Sequence, residues 1–261
     1  MSEAGQELLV EREEGLAILR LNRPERMNAL APGLLQQLAS EVPRIADAPD
    51  VRAILITGVG RAFCAGGDVG SMAGTPDRDA TLAGMKATHP WLNALWASDK
   101  MVVTAVNGPA AGAGFGLALI GDWILASEDA VFKGGFTTLG AVPDYGLGFT
   151  LPRAVGAVRA TEIVFSDRRV TAREALELGM VSRLLPAANF ADEALEFARG
   201  VARLPRGAQL TRRLLRLDTV EAFARYLEAE AEAQTEAFQS EDFAEGVAAF
   251  SEKRAAEFKG R

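Results

Sequence analysis

The chain has 261 residues, 49% of them apolar and 24% charged, an ordinary globular composition that excludes wholesale disorder and suits one large domain or one domain with an appendage. A formal net charge of -7 with no long run of Lys and Arg excludes the basic footprint of a nucleic-acid binder. Cys64 is the only cysteine and His89 the only histidine, so neither a disulfide framework nor a multi-Cys/His metal site can be assembled.

The opening Met1-Ser2-Glu3-Ala4-Gly5 is acidic and lacks the apolar core of a signal peptide, and no stretch reaches the apolar length of a membrane span. A soluble, cytoplasmic protein without a membrane partner is expected. Leu16 to Leu21 reads as a buried strand ending at the turn-forming Asn22-Arg23-Pro24. Leu34, Leu38, Val42 and Ile45 then recur at helical spacing, and Pro43 predicts a bend or an early end. Further strands are expected at Ala53 to Thr57 and Met101 to Val106, with a helical stretch from about Leu82 to Trp96 between them, kinked where His89 meets Pro90. A last short strand spans Val181 to Leu185. Helical pattern alone follows from about Asn189 to Phe258, with Phe238, Phe243, Val247 and Phe250 on roughly one face, to pack on the core or on a neighbouring subunit. Alternating strands and helices argue for an α/β fold, with a core over 1–188 and a helical appendage over 189–261.

Two glycine-rich segments each follow a buried strand. In Gly60-Arg61-Ala62-Phe63-Cys64-Ala65-Gly66-Gly67-Asp68, the paired glycines let backbone approach a ligand without a Cβ in the way. In Asn107-Gly108-Pro109-Ala110-Ala111-Gly112-Ala113-Gly114-Phe115-Gly116, a helix beginning near Gly112 or Ala113 would aim unpaired N–H groups at developing negative charge. A dinucleotide fingerprint fails because Leu117 stands where its last glycine belongs, and a P-loop fails because no Lys-Ser/Thr pair follows. Taken singly, either segment is equally a tight strand-to-helix turn without chemistry.

Together with Leu21-Asn22-Arg23-Pro24-Glu25-Arg26-Met27-Asn28-Ala29-Leu30, these segments closely resemble the signatures of the crotonase superfamily, the enoyl-CoA hydratases and isomerases. Leu151-Pro152-Arg153, Ala175 to Val181 and Phe250 to Arg254 match as well, so the resemblance spans nearly the whole chain in the right order. It implies a spiral of ββα units with a C-terminal helical trimerisation region, and a homotrimer or hexamer. The implied substrate is an acyl-CoA thioester, with coenzyme A part of the substrate and no separate cofactor or metal. The implied oxyanion hole is the N–H groups of Gly67 and Ala113, each such donor being worth about 3 kcal/mol in the transition state. Arg26, Met27, Ala65, Gly66, Asp68 and Gly112 fall in segments that line the CoA site in relatives, and Lys259 is a candidate for a CoA phosphate.

The oxyanion hole names a chemistry but no reaction. Hydratases of this family use two glutamates, and the matching positions here hold Gly116 and Phe136, neither of which transfers a proton. Asp144, in Gly140-Ala141-Val142-Pro143-Asp144-Tyr145-Gly146, matches the catalytic acid of members that shift double bonds. The expected function is therefore conversion of 3-enoyl-CoA to 2-enoyl-CoA by one carboxylate, whose proton affinity an apolar pocket with Phe136 nearby would raise. A turn or helix N-cap role is the bland reading of Asp144. Asp144 also resembles the acid of the isomerase that rearranges ring-epoxidised phenylacetyl-CoA; weak hydration and non-catalytic thioester binding are further alternatives. Cys64 reads as a small core residue, His89 as structural, and Lys100, Asp122, Lys133, Arg153 and Asp167 as solvated or ion-paired fold residues. Tyr145 is a candidate to orient Asp144 or line the acyl pocket.

Overall fold

The computed structural model describes residues 6–67 and 77–261. A hairpin of β1 (Leu8–Glu13) and β2 (Leu16–Leu21) begins the fold, joined through Glu14 and Gly15, whose φ values of 40° and 88° match the two-residue turn suited to strand twist. Helix α1 (Pro32–Asp47) leads to β3 (Ala53–Gly58); α2 (Arg78–Lys86) and α3 (His89–Ala97) lead to β4 (Met101–Val106). The short β5 (Ala110–Ala111) and α4 (Ala113–Ala118) precede β6 (Trp123–Ser127), β7 (Val131–Lys133) and α5 (Phe136–Leu139). Next come α6 (Leu147–Val155), α7 (Ala157–Ser166), β8 (Val170–Thr171), α8 (Ala172–Glu177) and β9 (Arg183–Leu185). The chain finishes with α9 (Phe190–Ala202), α10 (Arg206–Arg216), α11 (Val220–Phe238) and α12 (Glu241–Glu252).

The strands form a six-stranded sheet, β1-β2-β3-β4-β6-β9, parallel from β2 onward, and a small sheet, β5-β7-β8. Alternation along each strand divides the large sheet's side chains between two cores. Leu16, Ile18, Leu55 and Val103 face α9 through Phe190, Ala194 and Ala198, whereas Ala17, Leu19, Ile54 and Val102 join the larger core with α1, α3, α4 and α6. Both faces are thus covered, which is why these strands read as unbroken apolar runs.

Two local expectations change. Helix α1 continues through Pro43 to Asp47, because Leu34, Leu38, Val42 and Ile45 keep one continuous buried face across the missing N–H. The stretch expected from Leu82 to Trp96 is two helices, and Pro90 occupies a first-turn position of the second, where the absent N–H leaves no bond unmade.

The C-terminal helices do more than append. Phe223 and Leu227 of α11 enter the main core, Phe223 stacking on Trp96 at 4.6 Å between ring centroids. Arg212 and Arg216 of α10 grip Asp122 at 2.6 and 2.7 Å, and Arg212 also donates to the carbonyls of Leu95 and Trp96 at the end of α3. Large apolar side chains remain exposed on α7 (Val158, Phe165) and α10 with the turn after it (Leu214, Leu215, Leu217). Among the described residues, no helix is long and apolar enough to cross a membrane.

Candidate active site

The three segments that carry the family resemblance lie side by side. Pro24–Arg26 forms a turn that hands over to Met27 and Asn28, both left-handed with φ of 50° and 56°. Asn28 is fully buried; its Oδ1 accepts from the N–H of Arg23 and its Nδ2 donates to the carbonyls of Val59 and Ala62. Asn tolerates this backbone and satisfies the buried groups around it. Asn107 reaches the same loop from the other side, donating to the carbonyls of Gly60 and Ala62. Backbone bonds then tie Ala65 to Met27, Leu30 to Gly66, and Ala111 to Cys64 at 2.8 to 2.9 Å.

That stitching delivers two amides to one place. Gly66 is left-handed at φ 89°, and a Cβ there would lie 2.7 Å from the carbonyl oxygen of Ala111, so only glycine lets the first loop close on the second. Gly67 follows it. Ala113 is the first residue of α4, where the N–H has no acceptor within the helix. Neither the Gly67 nor the Ala113 N–H has a backbone acceptor among the described residues, and both residues line one cleft of about 740 Å³. Arg26, Met27, Ala65, Gly112 and Asp144 line it too. Gly66 lies just beneath, buried, with its carbonyl engaged by Leu30. Asp68 lies outside the described residues. Lys259 does not line the cleft; it lies in a tail whose N–H groups at Lys259 and Gly260 donate to the carboxylate of Asp242.

Asp144 does not cap α6. The N-cap residue is Gly146, with no side-chain cap, and only the backbone carbonyl of Asp144 takes part, accepting from Leu147 at 3.1 Å. The residue as a whole is half-buried, yet its Oδ1 is fully enclosed and has no hydrogen-bond partner among the described residues. Burial lifts this carboxyl from 3.8 to about 7, against a smaller opposing pull from the Gln234 amide and its own backbone N–H. Phe136, buried at the start of α5, supplies part of the apolar wall, as do Leu139 and Ala141. Gly116 sits behind the acid: a Cβ there would meet the carbonyl oxygen of Asp144 and the Cβ of Tyr145, each at 2.7 Å.

Sequence reasoning missed several members of this site. Gln234, Phe238, Phe243 and Phe250 of α11 and α12 line the cleft, so it crosses the boundary expected at residue 188, and the apolar face noticed on the last helices is its wall. Phe238 and Phe243 stack at 4.2 Å between centroids. Arg61, Lys133 and Arg169 also line the cleft beside Arg26. Lys133, expected to be a solvated or ion-paired fold residue, does pair with Asp167 at 3.5 Å and lines the cleft besides. Tyr145 is buried with φ 55° and packs edge-on against Trp91, behind the acid and away from the cleft lining. Cys64 is enclosed and burial pushes its thiol up to about 12, which suits a core residue. His89 is nearly buried and bonds Glu228 of α11 at 2.9 Å, a structural tether.

Two amides with no backbone acceptor among the described residues, sharing an apolar cleft edged by cations with a buried carboxyl, define a site for stabilising an anion at a carbonyl next to a carbon that exchanges protons. The enoyl-CoA hydratase/isomerase family model matches residues 11–261. The chain is 36% identical to a 1,2-epoxyphenylacetyl-CoA isomerase of Escherichia coli, over 95% of this chain and 97% of that one. It is 38% identical to a 2,3-dehydroadipyl-CoA hydratase of the same organism, over 98% and 99%. A solved enoyl-CoA hydratase/isomerase from Pseudoalteromonas atlantica superposes with a TM-score of 0.87 at 34% identity, covering 97% of this chain and all (100%) of that one. The chain belongs to the enoyl-CoA hydratase/isomerase family and is an enzyme of that family, with the crotonase fold that its sequence resembles.

Proposed function

We propose that the protein isomerises 3-enoyl-CoA to 2-enoyl-CoA thioesters with Asp144 as its single acid and base. The observation that carries this reading is the enclosed, unpartnered Oδ1 of Asp144 in the cleft that also presents the free N–H groups of Gly67 and Ala113. The carboxylate removes a proton from C2, and the electron pair of that C–H bond delocalises through the 3,4-double bond and the thioester carbonyl as a dienolate. The two amides hold the developing oxyanion. Asp144, now protonated, returns the proton to C4, which moves the double bond to C2–C3 and regenerates the base. A proton affinity near neutrality suits a group that must take and give the same proton. By the family resemblance, the positions where hydratases carry glutamates hold Gly116 and Phe136, which leaves no second acid to split water.

Arg26, Arg61, Lys133 and Arg169 are the cations placed to meet the phosphates of coenzyme A, which enters as part of the substrate without a further cofactor. A second reading, the ring-opening isomerisation of an epoxidised phenylacetyl-CoA, draws support from Phe136, Phe238, Phe243 and Phe250 along the cleft. We also propose self-association into a trimer or hexamer through the exposed apolar surface of α7 and α10, which sedimentation at micromolar concentration tests. The deciding assay offers 3-hexenoyl-CoA, crotonyl-CoA and the epoxidised aromatic thioester to one preparation. Formation of 2-hexenoyl-CoA that exceeds hydration of crotonyl-CoA and is lost in Asp144→Asn is the expected result. Hydration as fast as isomerisation, full activity in Asp144→Asn, or tight binding without any turnover would each overturn it.

A further inference from the structure

Asp144 stands on a loop whose backbone is bonded on either side of it by side chains of one helix, α11. Tyr145 and Gly146 are consecutive left-handed residues, φ 55° and 71°, and for a tyrosine this conformation is strained and persists only where its surroundings impose it. Those surroundings come from α11. The Oε2 of Glu230 accepts from the N–H of Gly146 at 3.0 Å. One helical turn further on, Gln234 brackets Val142, its Oε1 accepting from the N–H and its Nε2 donating to the carbonyl, both at 2.8 Å. Both side chains are buried, Glu230 to 5% exposure and Gln234 to 1%. No role in the proton transfer itself accounts for a glutamate enclosed at this depth.

We propose that Glu230 and Gln234 are positioning residues: together they clamp the backbone of residues 142–146 on either side of Asp144 and so aim its carboxyl into the cleft. The inference rests on Asp144 being the acid of the proposed reaction. Spacing explains why two contacts suffice, since residues four apart on a helix stand above one another and span the few residues between Val142 and Gly146. The clamp is uncharged when it matters. Burial and the nearby Asp144 raise Glu230 to about 9, so it stays protonated while Asp144 titrates near 7. The other ionisable groups facing Asp144 are the Cys64 thiol and the Tyr145 and Tyr226 phenols, all raised by burial and neutral in that range. A neutral carboxyl accepts the Gly146 N–H without setting a second negative charge against the dienolate.

The test compares Glu230→Gln, which keeps an acceptor oxygen in place, with Glu230→Ala and Gln234→Leu, which remove the backbone bonds. Two readouts are taken: kcat and KM on 3-hexenoyl-CoA, and the titration of the Asp144 carboxyl by carbon-13 NMR of aspartate-labelled protein, assigned with Asp144→Asn. Glu230→Gln is expected within about threefold of the parent kcat, with the Asp144 titration in place. Glu230→Ala and Gln234→Leu should lose roughly 10- to 100-fold in kcat with KM changed less than about threefold, the scale of a misaimed catalytic group. Their Asp144 titration should move down as water reaches the carboxyl. The proposal is overturned if both variants fold by circular dichroism and keep the parent kcat and titration, or if the whole loss appears in KM. Should Glu230→Ala not fold, Gln234→Leu decides on the same criteria. If the parent turns over no enoyl thioester, the functional reading fails alone, and the carboxyl titration still decides the clamp.

Discussion

Replacing Asp144 by asparagine should destroy activity and at the same time stabilise the fold, by an amount that depends on pH. Burial raises this carboxyl from 3.8 to about 7, so between those values the unfolded chain ionises while the folded chain stays protonated. The contribution of protonated Asp144 to stability is therefore fully present below about pH 4 and is lost as pH rises to about 7, beyond which the loss levels off. At 1.36 kcal/mol per pKa unit, the deficit is roughly 1.5 kcal/mol at pH 5 and roughly 4 kcal/mol at pH 8.5. Asparagine is nearly isosteric and never ionises, so it escapes this penalty. The urea-unfolding free energy of Asp144→Asn relative to the parent should rise by about 3 kcal/mol between pH 5 and pH 8.5, and near pH 8.5 the variant should melt several degrees higher, at about 2 °C per kcal/mol for a chain this long. Turnover in the same variant should fall by about 10²–10⁴, the worth of a positioned acid and base. A stability difference that does not change with pH would refute the buried-carboxyl argument, whatever happens to the rate.

Two other substitution or labelling experiments follow from the geometry. Ala113→Pro removes the N–H at the first position of α4, where proline suits helix geometry, so the protein should fold while kcat falls about 10²–10³ for loss of an oxyanion donor; an unchanged rate would remove Ala113 from the site. The Cys64 thiol, enclosed and pushed up to about 12, should resist iodoacetamide at pH 8 in the native protein and react once urea unfolds it, as followed by mass spectrometry.

The parts of the fold legible in the sequence are those where burial is continuous. The strands at Leu16–Leu21, Ala53–Gly58 and Met101–Val106 lie inside a sheet covered on both faces and read as apolar runs. The edge strand Leu8–Glu13 ends in three consecutive charged residues, Glu11 to Glu13, and the strands of the small sheet are two or three residues long, so neither leaves a periodic signal. Gly67, Ala113 and Asp144 were visible through the order of their motifs. Glu230 was not, because it sits in the Ala/Glu-rich run from Leu227 to Ala237, where Glu228 and Glu232 face outward and pair with Lys86. A signal was nevertheless present: Phe223, Leu227, Glu230, Gln234 and Phe238 recur at three- and four-residue spacing, which puts two polar side chains on the buried stripe of α11. A polar residue on an apolar stripe is the feature that calls for a partner.

On the proposed reading, the single-aspartate arrangement is more than a hydratase with its glutamates deleted. The volume that a side chain at 116 would need is filled by the Asp144–Tyr145 segment, the Asp144 carbonyl oxygen and the Tyr145 Cβ each standing 2.7 Å from where its Cβ would be. That backbone is in turn fixed by Glu230 and Gln234 on α11. Residue 116 and the acid loop therefore exclude one another. Gly116→Glu, alone or with Phe136→Glu, should displace the loop, cost isomerisation and stability together, and gain no hydration of crotonyl-CoA; the overpacking alone is worth about 1–3 kcal/mol. Hydration that appears in the double variant while the Asp144-dependent isomerisation persists would mean that the two arrangements can coexist and that the glycine is incidental. If they cannot, changing one reaction into the other requires rebuilding the loop and its support on α11, and the glycine at 116 marks which of the two this chain is built for.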